Sequence, residues 1–114
     1  MIRAVFKKSG GAQKKLIGFE ISGHAGYADK GEDIVCAAVT SAVQFSANAI
    51  TEIAAIDADV RAGDNRISLT LPDKTSGDGA DYAAQVILEA LLLHLRTLSE
   101  QYRGTIRITV MEVK

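Results

Sequence analysis

The sequence predicts an α+β domain, a two-layer α/β sandwich in the order ββαββαβ. Its sheet should be mostly antiparallel or mixed, with two helices on one face. Three observations carry this prediction. Ile2, Ala4 and Phe6 alternate with Arg3, Val5 and Lys7, and Ile17, Phe19 and Ile21 alternate with polar or small residues, the period of strands that bury one face. Two long segments, about 34–55 and 79–102, read as helices. Gly- and Asn-bearing turns separate the strand pairs. Alternating strands imply a sheet with a single covered face, which the two helices would supply.

Each element has a local cause. Between the first two strands, Lys8 to Lys14 is a Gly-rich connection suited to a hairpin, and Lys7, Lys8, Lys14 and Lys15 read as its solvated tip. Residues 23–33 form a loop with three glycines, Gly23, Gly26 and Gly31. Asp33 then stands at the N-cap of the first helix, expected from Ile34 to Ala55. That helix is rich in alanine, which permits close approach of a sheet on one side and a second subunit on the other. Ala58, Val60 and Ala62 read as a third strand and Ile67, Leu69 and Leu71 as a fourth, with Gly63-Asp64-Asn65 as the turn. The second helix, Gly79 to Tyr102, carries Ala84, Ile87, Leu88, Leu91, Leu95, Leu98 and Tyr102 at helical spacing. Gly104 ends it, and Ile106, Ile108 and Val110 make the last strand.

Composition narrows the function classes. The 114 residues are one domain's worth, so a single domain over 1–114 is expected. Thirteen Lys and Arg against 14 Asp and Glu leave a net charge of -1, without the electrostatic pull of a nucleic-acid wrapper, and no direct nucleic-acid partner is expected. One cysteine excludes an internal disulfide and a multi-cysteine zinc site. The uncharged run Ile34 to Thr51 holds Thr40, Ser41, Gln44, Ser46, Asn48 and Thr51, too polar for a lone membrane helix, and reads as a helix buried within the protein. Met1-Ile2-Arg3 leads straight into strand alternation with no signal-like apolar region, so a cytoplasmic location is expected.

The chemistry centres on the single cysteine. With Asp33 as N-cap, Cys36 is the third residue of the helix, where backbone N–H groups and the positive end of the dipole favour a thiolate. Asp33 and Glu32 act in the opposite direction. His24, twelve residues earlier, begins a loop long enough to fold back over the helix start and bring imidazole and thiol together. A small core cysteine is the alternative reading of the same residue.

Gly23-His24-Ala25-Gly26-Tyr27-Ala28, followed by Gly31-Glu32-Asp33-Ile34-Val35-Cys36-Ala37-Ala38, resembles the signature of the ribosomal-processing cysteine protease family, Prp. The resemblance extends over the whole chain in length, element order and loop position. It implies a cysteine peptidase with His24 and Cys36 as the catalytic dyad. It also implies a substrate, the N-terminal extension of large-subunit ribosomal protein number twenty-seven, cut after an aromatic residue in support of ribosome assembly. The family pattern has an aspartate at the place of Asp33 and often a serine at the place of Thr40, which keeps the hydroxyl and adds a methyl. Gly23, Asp33 and Thr40 are therefore supporting or substrate-binding candidates. Asp33 either orients His24 or caps the helix, and Thr40 either bonds substrate or bonds back to the Cys36 carbonyl. Helix-start N–H groups, that of Cys36 included, are candidates for an oxyanion hole. The glycine-rich loop is expected to be mobile until substrate binds.

Remaining features have simpler readings. His94 reads as a partly buried structural histidine, and Asp73, Asp78 and Asp81 as capping and dipole complements of the second helix. Asp57 to Asp64 departs from a calcium loop at Arg61 and Gly63, and no nucleotide-binding fingerprint occurs. No metal and no cofactor are expected. The expected partners are the ribosomal protein precursor peptide and a second copy in a homodimer, with no membrane. A non-catalytic ribosome-associated peptide-binding module and a thiol redox sensor are the rival readings, the sensor weakened by the lack of a resolving cysteine.

Overall fold

Five strands form one mixed sheet in the order β3-β4-β2-β1-β5. They are β1 (Ile2–Ser9), β2 (Leu16–Ser22), β3 (Asp59–Gly63), β4 (Arg66–Thr70) and β5 (Ile106–Val113), with helices α1 (Ile34–Asn48) and α2 (Asp78–Gln101) between them. The computed structural model describes residues 1–10, 14–26, 28–29, 33–73 and 78–113. The predicted α+β class and the ββαββαβ order are those observed. β1 lies between β2, antiparallel to it, and β5, parallel to it, while β2–β4 and β3–β4 are antiparallel.

Register gathers the apolar residues on one face. Phe6 pairs with Phe19 and Ala4 with Ile21, Phe19 with Leu69, and Ile2 with Ile106, and residues directly opposite share a face. The Phe6 and Phe19 rings meet at 6.0 Å, tilted by 45°. Helix α1 lays Val35, Val39, Val43 and Ala47 on this face, every fourth residue, and α2 lays Ala84, Leu88, Leu91, Leu95 and Leu98 there at three- to four-residue spacing. Gln85 ties α2 to the start of β2: its Oε1 accepts from Leu16 N at 2.9 Å and its Nε2 donates to Leu16 O at 2.7 Å. Lys15 forms an ion pair with Asp81 beside it, so Asp81 serves a cross-layer contact and not only the helix terminus.

The sequence reading needs three adjustments. Helix α1 does not run as α-helix to Ala55: it passes into a π-helical turn at Ala49–Ile53, where Ala54 N donates to Ala49 O, and Ala55 at φ 54° ends it. Ile34–Thr51 is also buried along one face only, for Ile34 is exposed and Phe45 is 77% exposed. By length and apolar composition Ile34–Ile53 would suffice to cross a membrane, and in this fold its apolar row packs on the sheet. Third, Val60 and Ala62 stand opposite Leu69 and Ile67 on the inner face yet are exposed, because β3 packs substantially only against β4 and neither helix covers it. An open trough is left between α1 and the β3–β4 hairpin.

Candidate active site

The site lies where β2 ends, α1 begins and the β3–β4 hairpin turns. Asp33 caps α1 as its sequence position predicts, since a short carboxylate at an extended backbone position can reach the first free amides. Its Oδ1 accepts from Val35 N and Cys36 N, both at 3.0 Å, and its Oδ2 accepts from Ala28 N at 3.4 Å. Of the two roles open to it, capping is the one made; among the described residues no hydrogen bond joins it to His24. The Cys36 N–H, a candidate for the oxyanion hole, is thereby already donated to a carboxylate.

At the other end of the loop, Gly23 sits at φ 88°, and its N–H donates to Asn65 O at 3.0 Å. A Cβ there would stand 2.5 Å from Met1 O, so glycine is required by both conformation and space. Gly26 also has positive φ, at 70°. The two residues between them face opposite ways. Ala25 is 5% exposed and belongs to the core cluster, whereas His24 is exposed.

Cys36, half-buried in the first turn of α1, receives the Ala25 N–H on its Sγ at 3.2 Å. His24 and Cys36 line the same cleft, of about 1030 Å³, and no hydrogen bond joins them among the described residues. The cleft continues along the trough. Buried Ile21, Val39 and Val43 with half-buried Ile67 form its apolar floor, and exposed Thr40, Gln44, Asn65 and Arg66 its polar rim. An apolar floor beside a polar rim suits an extended peptide, whose side chains seek the one and whose backbone seeks the other.

Thr40 is one turn beyond Cys36 and exposed to the cleft. The hydroxyls of Ser46, Thr51 and Thr97 each bond back to the carbonyl four residues earlier. That of Thr40 makes no such bond among the described residues, so of its two readings the bond to the Cys36 carbonyl is not formed. Gly23, His24, Asp33, Cys36 and Thr40 thus all line one cleft. Tyr27, Gly31 and Glu32, part of the signature, lie outside the described residues. His94 is exposed rather than partly buried, and Asp73 is exposed. Among the described residues no cluster of three or more His, Cys, Asp or Glu could hold a metal ion. Sequence reasoning missed the Ala25 amide, because a backbone donor leaves no mark on residue type; the flanking glycines were the available signal.

Comparison with known proteins gives a consistent picture. The model of the family described as cysteine protease Prp matches residues 1–107. The ribosomal processing cysteine protease Prp of Bacillus subtilis is 30% identical over 111 residues, 96% of each chain. That of Staphylococcus aureus is 33% identical over 88 residues, covering 77% of this chain and 80% of that protein. The crystal structure of the S. aureus protease in complex with a covalently linked product peptide superposes with a TM-score of 0.79 at 27% identity, over 95% of this chain and 99% of that one. A Streptococcus mutans crystal structure superposes with a TM-score of 0.80 at 27% identity, over 99% of both.

Proposed function

The chain belongs to the cysteine protease Prp family of ribosomal processing proteases, and on that premise we propose that it is a Cys–His endopeptidase acting on the N-terminal extension of large-subunit ribosomal protein number twenty-seven. The observation that carries the reading is that His24 and Cys36 line one cleft, which continues as a trough with an apolar floor. The product peptide held in the S. aureus relative supports a peptide as the occupant of the cleft.

The reaction follows from those groups. His24 takes the proton of Cys36, and the thiolate adds to the scissile carbonyl. Collapse of the tetrahedral intermediate breaks the C–N bond, and His24 returns the proton to the leaving amine. Water, deprotonated by His24, then attacks the thioester and releases the extension as a free carboxylate with the thiol restored. The imidazole must first come within reach of Sγ, and rotation of the exposed His24 side chain supplies that movement while the backbone turn stays fixed. The Thr40 hydroxyl, exposed in the cleft, is the group assigned in this reading to bond the peptide.

Mass spectrometry of a peptide spanning that extension, incubated with the protein and with Cys36→Ala, tests the proposal. A single cut made only by the unaltered protein is the expected result, and cleavage by Cys36→Ala would overturn it. The missing His24–Cys36 hydrogen bond favours a second reading, a peptide-binding module without catalysis, for which the peptide would bind both proteins and be cut by neither. We further propose a cytoplasmic homodimer. Ile53 at 85%, Phe45 at 77%, Tyr82 at 73% and Leu93 at 67% exposure are apolar surface that a second copy would cover. Sedimentation of Leu93→Glu and Ile53→Glu should show monomers where the unaltered chain shows dimers.

A further inference from the structure

We infer that the backbone N–H of Ala25 is the donor that stabilises the Cys36 thiolate, the Val35 and Cys36 amides at the start of α1 being donated to Asp33 instead. The inference rests on the reading of Cys36 as nucleophile. A cysteine at a helix start ordinarily draws on the free N–H groups of the first turn. Here the N–H groups of Val35 and Cys36 are both donated to Asp33 Oδ1, and the carboxylate that takes them brings a negative charge of its own to the helix start. That charge opposes a second one on the sulfur.

The compensating donor comes from the loop. Ala25 N–H reaches Sγ at 3.2 Å, the single hydrogen bond to this sulfur among the described residues. Two contacts and the local backbone conformation hold the amide in place. The Ala25 methyl is sunk in the core cluster, Gly23 N–H is anchored on Asn65 O, and the positive φ of Gly23 and Gly26 turns the chain inward between them. A thiolate accepts a hydrogen bond far more strongly than a thiol, so a pre-placed N–H favours the ionised state selectively. Because the same short turn carries Ala25 inward and His24 outward, charge stabilisation and proton transfer are divided between neighbouring residues. The amide lowers the cost of the thiolate, and the imidazole moves the proton.

Cys36 is the only cysteine, so alkylation by iodoacetamide reports on it alone. The test uses the full chain with Ala25 replaced by lactic acid, which converts that one amide to an ester, removes the N–H and keeps the methyl. The rate is followed from acidic to alkaline pH. The expected result is a profile displaced to higher pH, with alkylation about tenfold slower on its acidic limb, the usual worth of a hydrogen bond to a charged group. Profiles that superimpose would overturn the inference. Should the ester chain fail to fold, by circular dichroism, NMR of the unmodified protein decides. The Ala25 amide proton should shift with the same midpoint as alkylation and lose that transition in Cys36→Ser, whereas an amide blind to the thiol would refute the assignment. Neither readout needs a substrate. Failure of peptide cleavage with a displaced alkylation profile would remove the protease reading and leave the amide's role intact.

Discussion

Replacing Asp33 by alanine isolates what holds the start of α1 in place. The substitution removes the acceptor of Val35 N and Cys36 N, both at 3.0 Å, and of Ala28 N. Loss of an N-cap costs about 1 kcal/mol and at most about 2. Asp33 is only 8% exposed and Val35 is fully buried, so water does not freely replace the carboxylate, and a buried amide left without a partner adds about 1 kcal/mol or more. The expected loss is about 2 kcal/mol. With a urea slope of about 1.5 kcal/mol per molar for a small domain, the unfolding midpoint should fall by about 1.3 M. Asp33→Ser puts a short oxygen acceptor back at the cap and should recover all but about 0.5 kcal/mol. It should also retain cleavage, because the serine restores the order of the helix start without restoring a carboxylate. An Asp33→Ala midpoint equal to that of the unaltered protein would refute the capping argument, as would a serine variant no more stable than the alanine one. A stable Asp33→Ser that has lost cleavage would show instead that the carboxylate itself takes part in the reaction.

Three further substitutions test other parts of the fold and site. In Gly18→Ala the new Cβ would stand 2.2 Å from the backbone oxygen of Leu69 on the neighbouring strand, so β4 must shift, at a cost of about 3 kcal/mol read as a lowered thermal midpoint. Gln85→Ala removes both hydrogen bonds to the Leu16 backbone, should cost about 2 kcal/mol, and should speed hydrogen exchange at Leu16, with Gln85→Glu recovering the accepted bond only. Thr40→Val removes a hydroxyl that bonds nothing among the described residues, so stability should move by less than about 0.5 kcal/mol while KM for the peptide rises. An unchanged KM would place that hydroxyl outside substrate contact.

What the residues disclosed in advance were the features with a local cause. Alternation at Ile2, Ala4 and Phe6 and the spacing of Leu88, Leu91, Leu95 and Leu98 are set by strand and helix geometry, and they are read without knowing the partners. Asp33 was legible because few residue types cap a helix, and Cys36 and His24 because few carry nucleophilic or proton-transfer chemistry. Features with distant causes were not. Val60 and Ala62 look like any half-buried strand, and their exposure depends on how far α1 extends over the sheet. Nothing local to Ile106–Val113 states that it runs parallel to β1, for that follows from the path of α2 across the sheet. The Ala25 amide is the extreme case, since every residue but proline carries the same group and only the conformation decides what it meets.

The placement of β5 bears on the order in which this molecule is made. β1 is synthesised early and sits inside the sheet, yet one of its two neighbours is β5, with Ile2 registered on Ile106 about a hundred residues of chain away. Ile2 is also part of the cleft wall, and the backbone of Met1 is what Gly23 closes against. Until β5 is made, β1 has only β2 as a sheet neighbour, while α2 already has α1 and β2 to rest on. The cleft is thus lined by residues between Ile2 and Ile67, yet the strand that carries Ile2 gains its second neighbour only from the last element of the sheet.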